Sequence, residues 1–326
     1  MKYGSVAGVG KPVSRLVQGT VMLTAARREA GFELLDGVFE RGCTCFDSAH
    51  VYGNGDCERV LGEWVRSRGI EDRVVILDKG AHPYEGRNRV TPHDIRSDCM
   101  ESLGRLGLSF IDLYLLHRDD PAVPVSEIVD TLEDLANEGL IGAYGGSNWT
   151  VGRLREAAEY AAKAGRRGFA ASSPQFGLAW PQKPVWEGCV TLGGPRNEPL
   201  LEAYRQMGIA TFAWSSLGGG WFSGRFWRGV TGDHEDYFDK LCWECYAHEE
   251  NFNRLERAEE LARQSGCSPA QIALAWLMHQ DLDCFALVGC RSVPEFAENA
   301  AALDAVLPAA QVRWLTEGGP EPTPES

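Results

Sequence analysis

The stretch FIDLYLLH, which runs from Phe110 to His117, is an apolar run that ends in an ionisable side chain. A helix signal precedes it, because Thr91 and Pro92 supply an N-cap and a first helical residue to the segment PHDIRSDCMESLGRL. A second helical pattern follows over 126–138. A short buried strand between two helices is typical of a parallel sheet, since parallel neighbours need a crossover connection.

The same alternation of short apolar runs and amphipathic segments continues along the chain. Seven further runs have the length and composition of buried strands: RLVQG (15–19), TCFD (44–47), VVILDK (74–79), IGAYGG (141–146), FAASS (169–173), IATFAW (209–214) and CFALVG (284–289). Helical patterns lie between or after them, over 27–41, 58–68, 151–165, 198–207, 270–280, 294–303 and 308–318. Eight such units in about 300 residues predict an α/β protein of the (β/α)8 TIM barrel class, which typically takes about 250 residues.

A doubly wound sheet is the alternative architecture, but no G-x-G-x-x-G motif opens a helix after the first predicted strand. The chain has no clear linker, so we expect residues 1–326 to form a single domain. The tail from about residue 318 is polar and rich in proline, which predicts disorder over 318–326. Two long loops, 176–197 and 215–238, are aromatic and rich in glycine, a composition that favours a functional role.

Composition narrows the class of protein. Hydrophobic residues at 44% and charged residues at 24% describe a soluble globular protein, and the net charge of −14 argues against nucleic acid or an anionic membrane as a partner. The amino terminus lacks the apolar core of a signal peptide, and no run reaches the length of a membrane span. We therefore expect a cytoplasmic protein, and the sequence leaves its oligomeric state open.

The ten cysteines are scattered, and many lie inside apolar patterns. They are expected to be reduced and buried. Cys242 and Cys245 form a C-x-x-C pair that resembles a redox or zinc half-site, but there is no second pair and their role stays open. A metal site built on Asp47 and His50 with another histidine is a further alternative, although no regular ligand motif accompanies it.

In a barrel of this kind the chemistry lies where the strands end, because the carboxyl ends of all eight strands share one face. Chemically active groups stand at or just beyond most of the predicted strand ends: Asp47 and Tyr52, Lys79, His117, Ser147 and Asn148, Gln175, and Trp214. The predicted fold would bring all of them to one site, whereas chance would scatter them over both ends of the barrel.

Seven segments of the chain resemble the aldo-keto reductase family. They are FDSAHVYGNGDCERVLGEW, DKGAHP, IDLYLLHRDDP, GGSNW, SSPQFGLA, AWSSLGGGWFSGRF and LVGCRSVPEFAENAAAL. They occur in the order of the family and extend from about Leu16 to Leu303. The resemblance implies a barrel that binds a nicotinamide dinucleotide and a catalytic tetrad of Asp47, Tyr52, Lys79 and His117.

The chemistry of carbonyl reduction explains why four such residues would be required. A hydride must reach the carbon and a proton must reach the oxygen, but a phenol with a pKa of about 10 is a weak acid at neutral pH. An ammonium such as Lys79 beside Tyr52 would lower the phenol's pKa and ease the proton transfer. Asp47 would hold Lys79 in place, and His117 would orient the carbonyl oxygen.

The resemblance also implies a set of cofactor contacts. The nicotinamide would stack on Trp214, its carboxamide would meet Ser147, Asn148 and Gln175, and the pyrophosphate would lie under the glycine-rich loop. The full set of predicted cofactor-binding residues is Gly19, Thr20, Ser147, Asn148, Gln175, Trp214, Ser215, Leu217, Gly219, Arg225, Cys290, Arg291, Glu295, Glu298 and Asn299.

The sequence departs from the family pattern near the expected 2′-phosphate. Cys290 stands where a hydroxyl residue is usual, and Glu295 places a carboxylate where Gln or Arg is usual. A carboxylate suits the ribose hydroxyl of NAD(H), whereas Arg291 favours NADP(H). We expect NADP(H), with NAD(H) as the alternative. Asp78 replaces a common threonine, and its strand position predicts that it faces away from the pocket.

The substrate pocket is predicted to combine aromatic faces with polar edges, which suits a sugar, a cyclitol or another polyol or carbonyl compound. Its expected residues, besides the tetrad, are Met22, His50, His82, Arg118 and Trp149. Two other functions stay open: a dinucleotide-sensing regulatory subunit without turnover, and a metal-dependent hydrolase on the same barrel.

Overall fold

The computed structural model describes residues 1–322, and the last four residues lie outside the described part. Of the tail predicted to be disordered, residues 318–322 are described and belong to neither a helix nor a strand. Trp314 Nε1 donates a hydrogen bond to the carbonyl oxygen of Gly319 at 3.1 Å.

Eight parallel strands close into a barrel in chain order, which confirms the predicted fold class. A two-stranded antiparallel hairpin precedes them. The hairpin strands are β1 (Tyr3–Gly4) and β2 (Val13–Ser14), and the barrel strands are β3 (Leu16–Gly19), β4 (Cys45–Asp47), β5 (Val75–Gly80), β6 (Ile111–Leu116), β7 (Ile141–Ser147), β8 (Ala171–Ser173), β9 (Ala210–Ala213) and β10 (Cys284–Val288). Each predicted barrel strand is present.

Helices surround the barrel. They are α1 (Arg28–Glu40), α2 (Asp56–Arg68), α3 (Pro92–Leu106), α4 (Val125–Asn137), α5 (Val151–Ala164), α6 (Glu198–Met207), α7 (Tyr237–Tyr246), α8 (Glu249–Ser265), α9 (Pro269–Met278), α10 (Val293–Ala301) and α11 (Ala309–Glu317). The expected caps are formed: Thr91, Thr150 and Ser268 each accept a backbone N–H at the start of a helix. These caps fix the residues at which α3, α5 and α9 begin.

The interior of the barrel is a packed apolar core. Val75 and Leu77 of β5 point inward, while Ile76 between them packs into the layer beneath the helices. Near the amino ends of the strands, the rings of Phe212 and Phe285 stack at 4.7 Å. Layers of this kind fill small barrels and leave no channel. Chemistry is therefore confined to the rim.

Two strands and two helices, β1, β2, α7 and α8, were not among the predicted elements. The hairpin strands are only two residues long, and Val6 and Val13 of the hairpin segment pack against the inner core at the amino ends of the barrel strands. The helix α7 lies inside the second long loop, where Asp236 accepts N–H groups from Phe238 and Asp239 as an N-cap. The helix α8 follows it directly.

Candidate active site

The carboxyl ends of the strands surround a cavity of about 1190 Å³. Most of the residues predicted for the site line this cavity: Gly19, Met22, Asp47, Tyr52, Lys79, His82, His117, Arg118, Ser147, Asn148, Trp214, Ser215, Leu217, Gly219, Arg225, Arg291, Glu295 and Asn299. All eight strand ends and two long loops, distant in sequence, thus contribute to one concave surface.

A buried ion pair forms the floor of the cavity. Lys79 at the end of β5 donates to Asp47 Oδ1 at 2.5 Å and to the carbonyl oxygen of Ser48 at 2.6 Å. The Lys79 side chain is 3% exposed. Burial alone would lower the pKa of Lys79, but Asp47, Tyr52 and Asp78 together outweigh burial and raise the pKa overall. Lys79 is therefore an ammonium at neutral pH.

Tyr52 lies beside this ion pair, on a tight turn over Tyr52–Gly55 that follows β4. The turn contains Gly53 and Asn54 with positive φ angles of 55° and 52°, which direct the chain sharply into α2. The ammonium nitrogen of Lys79 is 5.1 Å from the centre of the Tyr52 ring.

The pKa of Tyr52 differs in direction from the expectation. Burial raises the pKa of Tyr52 above its ordinary value, and the nearby Lys79 ammonium lowers it by less than burial raises it. The predicted fall in the pKa was therefore wrong for the protein without ligands, because the phenolate would be desolvated in this pocket. The expected influence of Lys79 is present but does not prevail.

His117 stands opposite Tyr52, with the two ring centres 5.8 Å apart. Burial lowers the pKa of His117 well below its usual value, and the positive charge of Lys79 acts in the same direction. The imidazole is therefore neutral at neutral pH. His82 lies on its other side at a ring distance of 5.0 Å. Among residues 1–322, no group accepts or donates a hydrogen bond at His117 Nδ1.

Trp214, just beyond β9, forms the aromatic wall of the cavity. Its Nε1 donates to Asn148 Oδ1 at 3.2 Å, and the same oxygen accepts the backbone N–H of Val190 at 3.1 Å. The amide of Asn148 in turn donates to Ser147 Oγ at 3.1 Å. One asparagine thus connects three separate strands or loops around the indole ring.

The backbone is strained at the same rim. Ala81, Asn148 and Ser215 have positive φ angles of 59°, 59° and 48°, and each lies one or two residues beyond a barrel strand. Non-glycine residues adopt this left-handed conformation at a cost and concentrate at functional sites. The strain therefore marks the same strand ends as the polar groups do.

A glycine-rich loop and the start of α10 border the far part of the cavity. Gly219 and Gly220 have φ angles of 68° and 98°. Beyond them, Arg225 pairs with Asp239 at 3.3 Å. At α10, the carboxylate of Glu295 accepts the backbone N–H of Arg291 at 2.7 Å. The Glu295 carboxylate is thus folded back onto its own helix terminus.

Several predicted site residues lie behind the cavity wall. Thr20 donates to the carbonyl oxygen of Asp47 at 2.9 Å and supports the end of β4. Cys290 is buried and accepts from Asn299 Nδ2 at 3.2 Å. Glu298 does not line the cavity, and its carbonyl oxygen accepts from Gln271 Nε2 at 2.9 Å.

Two predicted substrate residues are also placed elsewhere. Trp149 is fully buried behind β7, where its ring packs edge-on against Phe169 at 4.8 Å. His50 turns outward, and its Nε2 lies 2.9 Å from the Glu101 carboxylate. Both predictions followed from closeness in sequence to strand ends, but the side chains point to the outer layer and the surface.

Gln175 is buried one layer below the cavity surface. Its Oε1 accepts a hydrogen bond from Thr191, while its Nε2 has no partner within residues 1–322. A buried amide nitrogen without an acceptor is costly, so it marks a place where a ligand oxygen would be favoured.

The sequence did not single out the residues that cover the cavity. They come from the two long loops and from the end of α7, and include Val185, Trp186, Glu187, Cys189, Tyr237, Phe238 and Tyr246. The length and aromatic content of the loops were the available signal, but neither indicated which side chains point inward.

The alternative sites receive no support from side-chain geometry. Over residues 1–322, no three or more His, Cys, Asp or Glu side chains are grouped so that they could hold a metal ion. Cys242 and Cys245 are both free and buried on α7, and Cys242 donates to the carbonyl oxygen of Gly218 at 3.2 Å. None of the helices within 1–322 has the length and apolarity to cross a membrane.

Comparisons with known proteins agree with this architecture. The family model described as "Aldo/keto reductase family" matches residues 15–318. The chain is 28% identical over 300 residues to "Aldo-keto reductase str7" of Strobilurus tenacellus, covering 88% of this chain and 81% of that protein. It is 26% identical to "Uncharacterized oxidoreductase YrpG" of Bacillus subtilis, covering 100% of this chain and 99% of that one. It is 27% identical to "Probable aldo-keto reductase 1" of Glycine max, covering 95% and 87%.

A solved structure is similar in fold. The crystal structure of the thermostable aldo-keto reductase Tm1743 with the inhibitor epalrestat superposes with a TM-score of 0.72 at 22% identity, covering 98% of this chain and 100% of that one. A closed barrel with ionisable groups at its strand ends defines a barrel enzyme. The chain belongs to the aldo/keto reductase family, and it is therefore an oxidoreductase that acts on carbonyl groups with a nicotinamide cofactor.

Proposed function

We propose that the protein interconverts a carbonyl compound and an alcohol by hydride transfer with NAD(P)(H), and that Tyr52 is the acid and base. The observation that carries this proposal is the buried pair of Lys79 and Asp47, 2.5 Å apart, directly beside Tyr52. Burying the ion pair of Lys79 and Asp47 costs more desolvation free energy than placing it on the surface would. A buried ammonium next to a phenol therefore serves little structural purpose.

Each member of the tetrad has a distinct role in this proposal. In reduction, Tyr52 gives its proton to the carbonyl oxygen, and the ammonium of Lys79 stabilises the phenolate that is left. Asp47 keeps Lys79 charged and in position. The neutral imidazole of His117 donates a hydrogen bond to the same carbonyl oxygen and orients it. In oxidation, Tyr52 takes the proton from the hydroxyl group.

The residues around the cavity fit a dinucleotide, which supplies or accepts the hydride when bound. Trp214 would stack against the nicotinamide, and the unpartnered Gln175 Nε2 would donate to the carboxamide together with Ser147 and Asn148. The loop with Ser215, Leu217, Gly219 and Arg225 would hold the pyrophosphate. The start of α10, with Arg291 and Asn299, would hold the adenosine end.

We infer a preference for NADP(H) over NAD(H). The Glu295 carboxylate is already engaged by the backbone N–H of Arg291, and the Arg291 guanidinium forms no ion pair with any residue from 1 to 322. The guanidinium is therefore free to bind a 2′-phosphate. At short range, the Glu295 carboxylate would repel that phosphate. The substrate is proposed to be sugar-like or cyclitol-like, because aromatic walls and polar edges surround Tyr52.

Binding of the dinucleotide is the first test. Titration with NADPH and NADH should quench tryptophan fluorescence in a saturable way, and Trp214→Phe should remove most of the quenching. NADPH should bind more tightly, and Glu295→Gln should widen its advantage over NADH. Failure of both nucleotides to bind would overturn the proposal. Binding with no turnover of any carbonyl would favour a dinucleotide-sensing role instead.

A further inference from the structure

Arg118 lies on the wall of the cavity immediately after His117, and its guanidinium contacts only neutral acceptors. Its Nη1 donates to the carbonyl oxygen of His117 at 2.8 Å. Its Nε donates to the carbonyl oxygen of Glu187 at 3.3 Å, and its Nη2 lies 3.5 Å from Cys189 Sγ. The Nε and Nη2 edge of the guanidinium therefore makes only two weak contacts, one long and one to a sulfur atom.

The charge of Arg118 is not balanced by a protein carboxylate. In the part of the chain that the structure describes, no Asp or Glu oxygen lies within 4.0 Å of its nitrogens. The adjacent Asp119 is held by Arg153 at 2.8 and 3.1 Å. Of the other cations that line the cavity, Lys79 is paired with Asp47 and Arg225 with Asp239, while Arg291 lies at the far end near α10.

The electrostatic effect of Arg118 reaches the centre of the site. It acts with burial to lower the pKa values of both His82 and His117. The part of the cavity next to Tyr52 thus contains one guanidinium charge that no carboxylate within 4.0 Å balances, although the whole chain carries a charge of −14. An unpaired guanidinium on the wall of a cavity attracts an anionic group of a ligand at short range.

We propose that Arg118 binds an anionic oxygen group of the substrate, so that the substrate is a carbonyl compound that also carries a carboxylate or a phosphate. This inference rests on the proposed function and narrows its substrate class from sugars in general to acidic sugars and related anions. Such a group would replace the two weak contacts of the Nε and Nη2 edge with short charge-assisted hydrogen bonds.

The test compares matched pairs of substrates. D-glucuronate and D-glucose differ by a carboxylate, D-glucose 6-phosphate and D-glucose by a phosphate, and 4-carboxybenzaldehyde and benzaldehyde by a carboxylate on a non-sugar. The charged member of at least one pair should have a kcat/KM at least about tenfold higher, mainly through KM. The substrate pair that shows the higher kcat/KM for its charged member identifies whether the anionic group that Arg118 prefers is a carboxylate or a phosphate.

Variants then assign the effect to Arg118. In Arg118→Gln, the ratio of kcat/KM for the charged and neutral substrates should fall by about 10- to 100-fold, and Arg118→Lys should recover part of it. Arg155→Gln removes an exposed arginine outside the cavity and should leave the ratio unchanged. Equal turnover of charged and neutral substrates by the unmodified protein, or an equal loss of both in Arg118→Gln, would overturn the inference.

Binding separates this inference from the proposed function. If benzaldehyde is reduced but no anion is preferred, only the inference about Arg118 fails. If no carbonyl is reduced, calorimetry of D-glucuronate and D-glucose 6-phosphate with the NADP-loaded protein decides it. Binding that is lost in Arg118→Gln supports the anion site, and binding that persists or is absent overturns it.

Discussion

Trp186 Nε1 lies 3.2 Å from the hydroxyl oxygen of Tyr237, and the Trp186 ring stands 5.8 Å from the ring of Trp214. Trp186 belongs to the first long loop, and Tyr237 begins α7 in the second. The two loops therefore meet above the indole on which we propose that the nicotinamide stacks. We call Trp186 and Tyr237 the roof of the cavity. The two residues belong to segments about fifty residues apart in sequence.

Removing the donor of this contact should loosen the roof. Trp186→Phe keeps an aromatic ring but loses the hydrogen bond to Tyr237, which is worth about 1 kcal/mol. We expect the dissociation rate of NADPH to rise about 3- to 10-fold in stopped-flow measurements. Trp227→Phe, at an exposed tryptophan outside the cavity, is the control. An unchanged rate in Trp186→Phe would mean that the contact does not retain the nucleotide.

Removing the Tyr52 hydroxyl should abolish proton transfer and spare nucleotide binding. We expect Tyr52→Phe to lower kcat by about 10²- to 10⁴-fold, with the Kd for NADPH close to that of the unmodified protein. Single-turnover kinetics and fluorescence titration measure the two quantities. Tyr84→Phe, at an exposed tyrosine, should change neither. Retention of most activity by Tyr52→Phe would assign the acid to another group.

The buried ion pair should be costly to break from one side. Asp47→Ala leaves the Lys79 ammonium buried without a carboxylate, so the free energy of unfolding should fall by about 3–5 kcal/mol in urea denaturation. The exposed pair of Arg96 and Glu138 is the matched comparison, and Glu138→Ala should cost at most about 1 kcal/mol. Adding Lys79→Met to Asp47→Ala should restore part of the loss. Similar costs for the two pairs would contradict the importance assigned to burial.

The buried carboxyl group of Asp78 should make the free energy of unfolding depend on pH. Both of its carboxylate oxygens lack partners among residues 1–322, and burial together with the nearby Glu58 raises the pKa of Asp78 well above 3.8. The folded protein then binds a proton that the unfolded chain releases, so stability falls as the pH rises from about 4 through the folded pKa. Asp78→Asn removes this loss, which amounts to about 1.4 kcal/mol for each unit by which the pKa is raised.

The measurement is urea unfolding of both proteins from pH 5 to pH 9. The stability of Asp78→Asn relative to the unmodified protein should increase with pH and become constant above the folded pKa. Asp72→Asn, at an exposed aspartate, should show no such trend. A difference that is independent of pH would indicate that Asp78 is ionised in the folded protein.

The barrel could be predicted from the sequence because each strand, together with the residues that flank it, forms a largely apolar run of 4 to 8 residues. Strand parity also predicted that Asp78 faces outward, and its exclusion from the cavity agrees with this. The two-residue hairpin strands carry too few positions for any periodicity. The helix α7 was hidden in a loop, because its cap at Asp236 follows a glycine-rich segment that reads as irregular.

The site was predicted less completely than the fold, for a physical reason. A residue within a strand has its face fixed by alternation, so Lys79 could be assigned to the barrel side. A residue beyond a strand end has no such constraint, and Trp149 and His50 turned away from the cavity. The roof residues Trp186 and Tyr237 depend on contacts between two loops, which no local pattern in either loop specifies.

The packed interior of the barrel restricts how ligands reach Tyr52. Val6 and Val13 pack on the inner core at one end, and apolar side chains such as Leu77 fill the middle, so residues 1–322 leave no passage along the barrel axis. Every molecule that reaches Tyr52 must therefore enter and leave at the carboxyl ends of the strands. Substrates and products then share one face of the barrel, and a product that stays bound there delays the exchange of any molecule bound beneath it.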